Sequence, residues 1–378
     1  MSNIALKEVT NRQELRAFID FPFQLYADSQ LWVPPLIRDE LDTFDRTKNP
    51  AFEYADARLW LAYRDGEVVG RIAAIKHGPE LENEKKLRFG WIDFIDDLEV
   101  SQALLTQVET WASELGATQV HGPLGFNDMD FEGMLIDGFE EPTTIATIYN
   151  FPYYPQHLEQ LGYTKAADWL ELRGDINQKP TDKIKRTADF VKQRFNLRTV
   201  EFKSSKDLKS YGINFFNAVN NSYGDLYGFY RLTPTESKYV VDKYFSYLSP
   251  KYISLVADKQ NKVIAFGVAM PSLTEAFKKA KGRLFPFGFL HIGKAMLFSK
   301  NLDLYLIGIV PEYKNSGVVS IIFSELWERF WKLGVKTLHA NPLLETNERM
   351  FNLWKTLGGG DKDIKRRRCF IKRVGDND

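Results

Sequence analysis

Apolar and polar positions along the chain form short runs that pair up twice. Positions 59–63 (LWLAY) are apolar, Asp65-Gly66 follows, and 68–75 (VVGRIAAI) resumes the run. Two β-rich runs around an Asp-Gly pair predict a hairpin. Positions 252–257 and 263–270 repeat the arrangement around 258–261. Each hairpin leads into another apolar strand and then a helix: 89–95 and 101–115, stopping at Gly116, then 302–310 and 318–333, stopping at Gly334. In the later helix Ile321, Ile322, Leu326, Phe330 and Leu333 recur at helical spacing. Strands at 119–121 and 336–341 follow, and each copy closes on a short helix ending Leu161-Gly162 or Leu357-Gly358. Matching points lie 195, 218 and 196 residues apart, so the second copy carries an insertion between its hairpin and its next strand, within 271–300. The repeated order predicts two related α/β domains with mixed sheets, 1–175 and 176–378, joined through a polar Gly- and Pro-containing stretch at 174–181.

Charge separates the copies. The 378 residues balance to zero net charge, yet 1–180 carry a net of −15 and 181–378 a net of +15. A split of this size suggests different electrostatic tasks, with the basic half suited to an anionic ligand. The composition, 44% hydrophobic and 26% charged, excludes a disordered or fibrous chain. Cys369 is the only cysteine, which excludes an intramolecular disulfide and Cys-rich zinc sites, and no metal site is expected. The acid-bearing N-terminus is unlike a targeting peptide, and no run approaches the roughly 18 apolar residues that span a bilayer. The expectation is a cytoplasmic protein without a membrane partner.

The chemistry concentrates at one strand–helix junction, 304–319 (LYLIGIVPEYKNSGVV). A buried strand ends in a turn carrying Lys314 and Gly317, and a helix starts at once. Unpaired N–H groups at such a start, with the helix dipole, stabilise phosphate. Gly317 lets the backbone approach a ligand closely. The equivalent turn of the first copy, 96–101 (DDLEVS), carries three carboxylates and neither Gly nor Lys, so it repels phosphate.

These residues resemble the GNAT superfamily of acyl-CoA-dependent N-acyltransferases. Its acyl-CoA loop, Arg/Gln-x-x-Gly-x-Gly/Ala, falls here on Lys314, Asn315, Ser316, Gly317, Val318 and Val319, and its downstream Asn-x-x-Ala-x-x-x-Tyr-x-x-x-Gly-Phe falls on 347–359, from Asn347 through Trp354. The resemblance covers the second half; the first matches in element order. It implies tandem GNAT-like domains, the first degenerate, with acetyl-CoA or a longer acyl-CoA held by the 314–319 loop and Asn347, a thioester carbonyl polarised by the N–H of Ile309 or Val310, and a small-molecule amine as acceptor. Lys314 keeps the charge of Arg. Val319 replaces a small residue. Trp354 stands where many members carry a tyrosine acid, a role that an indole N–H cannot fill.

Around that loop, His339 and Asn341 alternate on one face of the strand 336–341, and His339 is the candidate base. Asp303 and Tyr305 share a face of the preceding strand and are candidates to orient substrate. The aromatic stretch 220–231, with Tyr223, Tyr227, Phe229 and Tyr230, is the candidate acceptor cover, ahead of a helix opening at Thr233-Pro234 with Glu236 in its first turn. Lys365-Arg366-Arg367-Arg368 reads as a charged edge strand or a polyanion contact, and the uncapped apolar run 283–298 as a buried helix or hairpin. Two rivals stay open: a tandem GNAT-fold transferase using aminoacyl-tRNA or a long-chain acyl donor, with tRNA second to CoA as partner, and a non-catalytic ligand sensor.

Overall fold

The computed structural model describes residues 4–356 and 359–375. The strands are β1 (Ala5–Glu8), β2 (Ala55–Arg64), β3 (Glu67–His77), β4 (Lys86–Phe94), β5 (Gln119–Gly122), β6 (Met134–Asp137), β7 (Thr164–Asp175), β8 (Arg198–Thr199), β9 (Ile253–Ala257), β10 (Val263–Pro271), β11 (Asn301–Ile309), β12 (Thr337–Leu344) and β13 (Gly359–Arg373). Two compact units interleave in sequence. The first holds the described residues of Met1–Leu170, Thr274–Ile292 and Ile364–Asp378; the second holds those of Glu171–Leu273 and Gly293–Asp363. Counted over these units the charge split narrows to −8 and +8, because the basic 364–373 stretch and the basic residues of 274–292 belong to the first.

In the first unit the strand order is β1-β2-β3-β4-β5-β13 and then β7, with β6 also on β13. The β2–β3 hairpin turns on Asp65 and Gly66, both at positive φ, as a tight primed turn requires. β4 and β5 run parallel, with the helix Leu98–Glu114 between them in sequence. Leu104, Leu105, Val108 and Trp111 of that helix join Ile72, Phe89, Phe94 and Val120 in the core. Each such side chain contributes about 1.5–3 kcal/mol of burial.

The second unit repeats this plan in the order β7-β12-β11-β10-β9-β8, with β11 and β12 parallel. The helix Val319–Lys332 buries Ile321, Ile322, Leu326 and Phe330. It sits close to the sheet because Gly267 of β10 leaves room: a Cβ there would stand 2.7 Å from Ile322 and 2.9 Å from Leu326.

The C-terminal basic run departs from both sequence expectations. β13 lies between β5 and β7 in the sheet and also pairs with β6, so it is an interior strand. Lys365 and Arg367 are buried; Lys365 Nζ donates to Pro142 O at 2.6 Å, and Arg367 donates to the carbonyls of Ile148 and Gly133. Arg368 forks onto buried Asp168 at 2.8 and 3.1 Å, and Arg366 reaches the same carboxylate at 3.3 Å. Burial raises the Asp168 pKa, but Arg368 and Lys165 outweigh it and the carboxyl lies below its ordinary range. Removing one partner of such a cluster costs about 3 kcal/mol. Asp168→Asn is therefore expected to lower the melting temperature at neutral pH by several degrees. The carboxylate's contribution is complete above its unfolded pKa of about 3.9 and disappears as pH falls through the lower folded value. The difference between wild type and variant in thermal melts should close below pH 4; a constant gap would contradict the ionic account.

Candidate functional site

The site of the second unit is a wedge between two parallel strands. Asn301, Leu302, Asp303 and Leu304 of β11 pair with Thr337, Leu338, His339 and Ala340 of β12, and there the pairing stops. β11 continues to Ile309 on β10, past an irregularity where Leu304 and Leu306 face the successive residues Ala269 and Val268, so Tyr305 is the extra residue of a bulge. β12 runs on to Leu344. Between them the edge of β11 needs other partners. Tyr223, at the end of the helix Gly212–Tyr223, supplies one: its hydroxyl donates to Ile307 O at 3.0 Å and accepts from Ile307 N at 3.2 Å. It thus replaces a strand partner, a role the sequence does not announce. Phe229 is buried edge-on against the Tyr223 ring at 5.7 Å. Asn220 staples the surrounding loop through both polar groups of Leu232, at 2.8 and 2.9 Å, and Thr233 and Glu236 form the expected capping box. Tyr227 and Tyr230 lie in the same loop, half-buried.

Alternation along β11 decides which oxyanion candidate survives. Ile307 turns its N–H toward the wedge, and Val310 N–H donates to Ile264 O at 2.9 Å, back toward β10. Ile309 shares the parity of Ile307, so its N–H faces the wedge. Val310, fully buried with its donor spent, is set aside as an oxyanion donor.

Polar groups gather in the wedge. Glu171 of β7, fully buried, places Oε2 3.0 Å from His339 Nε2. The two atoms touch without the alignment of a hydrogen bond, so among the described residues His339 Nε2 has no aligned partner. Asp303 is buried beside His339 in register. Burial, and secondarily Asp303, drive the Tyr305 pKa well above that of an ordinary phenol, so Tyr305 is an O–H donor and not a base. Its hydroxyl, Asn341 Oδ1 and the buried Trp354 Nε1 also have no hydrogen-bond partner among the described residues. Orphaned buried polar atoms on adjacent elements mark a place built to meet something else.

The loop entering the helix Val319–Lys332 presents backbone donors. Lys314 N–H is spent on Pro311 O, Ser316 N–H on Tyr313 O, and Val318 N–H on Ser316 Oγ. Among the described residues no acceptor stands against the N–H groups of Asn315, Gly317 and Val319. The helix has no side-chain cap and no acid in its first turn. Gly317 holds φ +80. Among the described residues Lys314 makes only a long surface contact, 3.4 Å, with exposed Asp225. Val318 faces the core, so it shapes the loop without touching a ligand through its side chain. Asn347 begins the helix Glu348–Thr356, its Oδ1 accepting from Met350 N at 3.4 Å. Leu357 and Gly358, the end of the sequence motif, lie outside the described residues.

The corresponding helix start in the first unit is closed by its own acids. Asp97 caps Leu98–Glu114 by accepting from Glu99 N at 2.9 Å, and its bond to Arg64 holds its carboxyl below the ordinary range. The first unit has a separate aromatic cavity, lined by Trp32, Trp91, Phe131, Tyr149 and Phe277 and bordered by the buried Arg71–Asp93 pair at 2.7 Å.

Sequence reasoning missed Glu171. The only available signal was a carboxylate between apolar neighbours, Trp169-Leu170-Glu171-Leu172.

No family model matches the chain. It is 30% identical over 375 residues to Protein YghO of Escherichia coli K12, covering 96% of this chain and 94% of that one. It is 25% identical to a bacterial ceramide synthase of Caulobacter vibrioides, covering 95% of each. Among solved structures it resembles a tandem GNAT protein from the clavulanic acid biosynthesis pathway, at 12% identity and a TM-score of 0.57 over all of both chains. It also resembles a fungal multi-domain β-N-acetylglucosaminidase with a GCN5-related glucosamine N-acetyltransferase region, at 11% identity and a TM-score of 0.54, covering 98% of this chain and 38% of that one.

Proposed function

We propose that this chain, which belongs to one family with Protein YghO and shares the fold of a tandem GNAT protein, is an acyl-CoA-dependent N-acyltransferase whose donor site lies in the second unit. The observation that carries this reading is the uncapped helix start, where Asn315, Gly317 and Val319 offer three N–H groups that no acceptor among the described residues uses. Those donors and Lys314 suit a pyrophosphate. The bound thioester supplies an activated acyl group. The wedge-facing N–H of Ile309 is placed to hold the carbonyl oxygen as negative charge develops. His339 accepts the proton that the acceptor amine releases, and Glu171 stabilises the ring in that charged state. Tyr305, whose pKa burial raises further above neutrality, is a neutral donor within the wedge. Trp354 leaves the leaving thiol without a protein acid at that position.

The acceptor is a primary amine on a long apolar chain. The support is the relative named a ceramide synthase, since a ceramide is an amide of a long-chain amino alcohol. The aromatic cover of Tyr223, Tyr227, Phe229 and Tyr230 suits a partly apolar ligand.

The test is calorimetric titration with acetyl-, octanoyl- and palmitoyl-CoA, followed by release of free thiol with short and long-chain amines. Micromolar binding is expected, with turnover on the long-chain amines. No heat with any acyl-CoA up to millimolar concentration would remove the donor site. Binding without thiol release from any amine would favour a ligand sensor. The basic run that suggested tRNA is committed to Asp168 and backbone carbonyls, so that partner loses its main support.

A further inference from the structure

The insertion of the second repeat is the most apolar exposed segment of the described chain. Six of its eleven exposed large hydrophobic residues, Phe285, Phe287, Phe289, Leu290, Leu297 and Phe298, fall within 285–298. Phe285 and Leu297 are each 75% exposed. Within the helix Gly288–Phe298 only Gly288 is buried. The sequence suggests a buried element here because the residues are apolar, but no element among the described residues covers them. The segment is nevertheless held firmly at its base. Gly282 O accepts from Ile37 N at 3.0 Å, and Gly282 lies against Phe23 so closely that a Cβ would come within 2.6 Å of the ring. Phe289 N–H donates to Leu284 O at 2.8 Å, fixing the turn that presents the rings.

The charge of the segment is one-sided. Between Glu275 and Asp303 there are six Lys and Arg residues and no acid. Lys279, Lys281, Arg283 and Lys294 are exposed, and among the described residues no carboxylate pairs with them. Exposed aromatics flanked by unpaired cations match the interface of an anionic bilayer, where rings enter the headgroup boundary and cations meet lipid phosphates. A second copy fits less well, because a two-fold interface would set the cations of one copy near those of the other.

We propose that the segment 279–298 docks this protein on the surface of anionic lipid membranes, without crossing them. No helix among the described residues is long and apolar enough to span a bilayer. This departs from the sequence expectation of no membrane partner, which rested on the same missing span.

The test is co-sedimentation of the full chain with sucrose-loaded vesicles, of pure phosphatidylcholine or with about one third phosphatidylglycerol, in the absence of CoA. Wild type should bind the anionic vesicles at least about tenfold more strongly, and lose this as salt rises from low to about 0.5 M. The triple change Phe285→Ser, Phe287→Ser, Phe289→Ser should lower the partition coefficient at least about tenfold. Changing Lys279, Lys281, Arg283 and Lys294 to Gln should weaken binding to anionic vesicles alone. All seven side chains are exposed, so both variants should keep the wild-type circular dichroism melt. Absence of binding to anionic vesicles at low salt overturns the proposal, as does binding indifferent to the triple change. A dimer in gel filtration that the triple change dissociates would assign the face to a second copy instead. Because no CoA is present, none of these outcomes bears on acyl transfer.

Discussion

Gly317→Glu is expected to abolish acyl-CoA binding and leave the fold in place. Gly317 sits at φ +80, where a side chain is strained, and its added Cβ would meet Val191 Cγ2 at 3.4 Å, an ordinary contact. The strain of a non-glycine residue there is about 1 kcal/mol, which an exposed turn tolerates. The electrostatic consequence is larger. A carboxylate at this point lies beside the unspent N–H groups of Gly317 and Val319, so it acts as the cap that the helix Val319–Lys332 lacks. It both occupies the donors and repels the incoming phosphates. Together these effects should cost about 3 kcal/mol or more, over a hundredfold in affinity. Gly317→Ala adds the strain without the charge and should weaken binding only several-fold. The first unit carries the same experiment in its own sequence: Asp97 caps Leu98–Glu114, bonded to Arg64, with Glu99 in the first turn. Calorimetry on both variants, with far-ultraviolet circular dichroism alongside, reads the result. Affinity of the Glu variant within threefold of wild type would show that the loop is not the cradle.

What the sequence made legible was local. The Asp65-Gly66 turn, the helix opening at Thr233 and the glycine loop are each specified within a few residues, by φ preferences and capping chemistry, and each stands where expected. What stayed hidden depends on pairing between distant segments. Glu171 meets His339 because β7 borders β12, and nothing near either residue encodes that register. Val310 was a reasonable oxyanion donor until the partner of its N–H, Ile264 on another strand, became visible. Four consecutive bases at 365–368 look like a solvated edge, since burying such a run requires a carboxylate and carbonyls from elsewhere; Asp168, Pro142 and Ile148 supply them. The aromatic run failed in the opposite sense. Hydrophobicity records a tendency to leave water, but burial also needs a covering partner, and Phe285 and Phe287 have none among the described residues.

The second large effect belongs to His339. His339→Ala should lower kcat by about 10²–10³ with little change in the KM for acyl-CoA, the usual scale for losing a positioned general base. Added imidazole should restore part of the rate, which a merely structural histidine would not show. Glu171 acts through the ring, so Glu171→Gln should reduce kcat by a smaller factor, and the double variant should be no slower than His339→Ala alone. Multiplicative losses would separate the two residues and end the dyad reading. The neighbouring orphans give an independent check on whether the wedge is a site or a packing fault. A buried hydroxyl without a partner costs about 1–3 kcal/mol, so Tyr305→Phe should raise the melting temperature even as it lowers turnover. That opposition of stability and activity is the signature of a polar group held ready for a ligand. If Tyr305→Phe instead lowered stability and left thiol release untouched, the phenol would be serving the fold, and the catalytic centre would have to be sought away from the β11–β12 wedge.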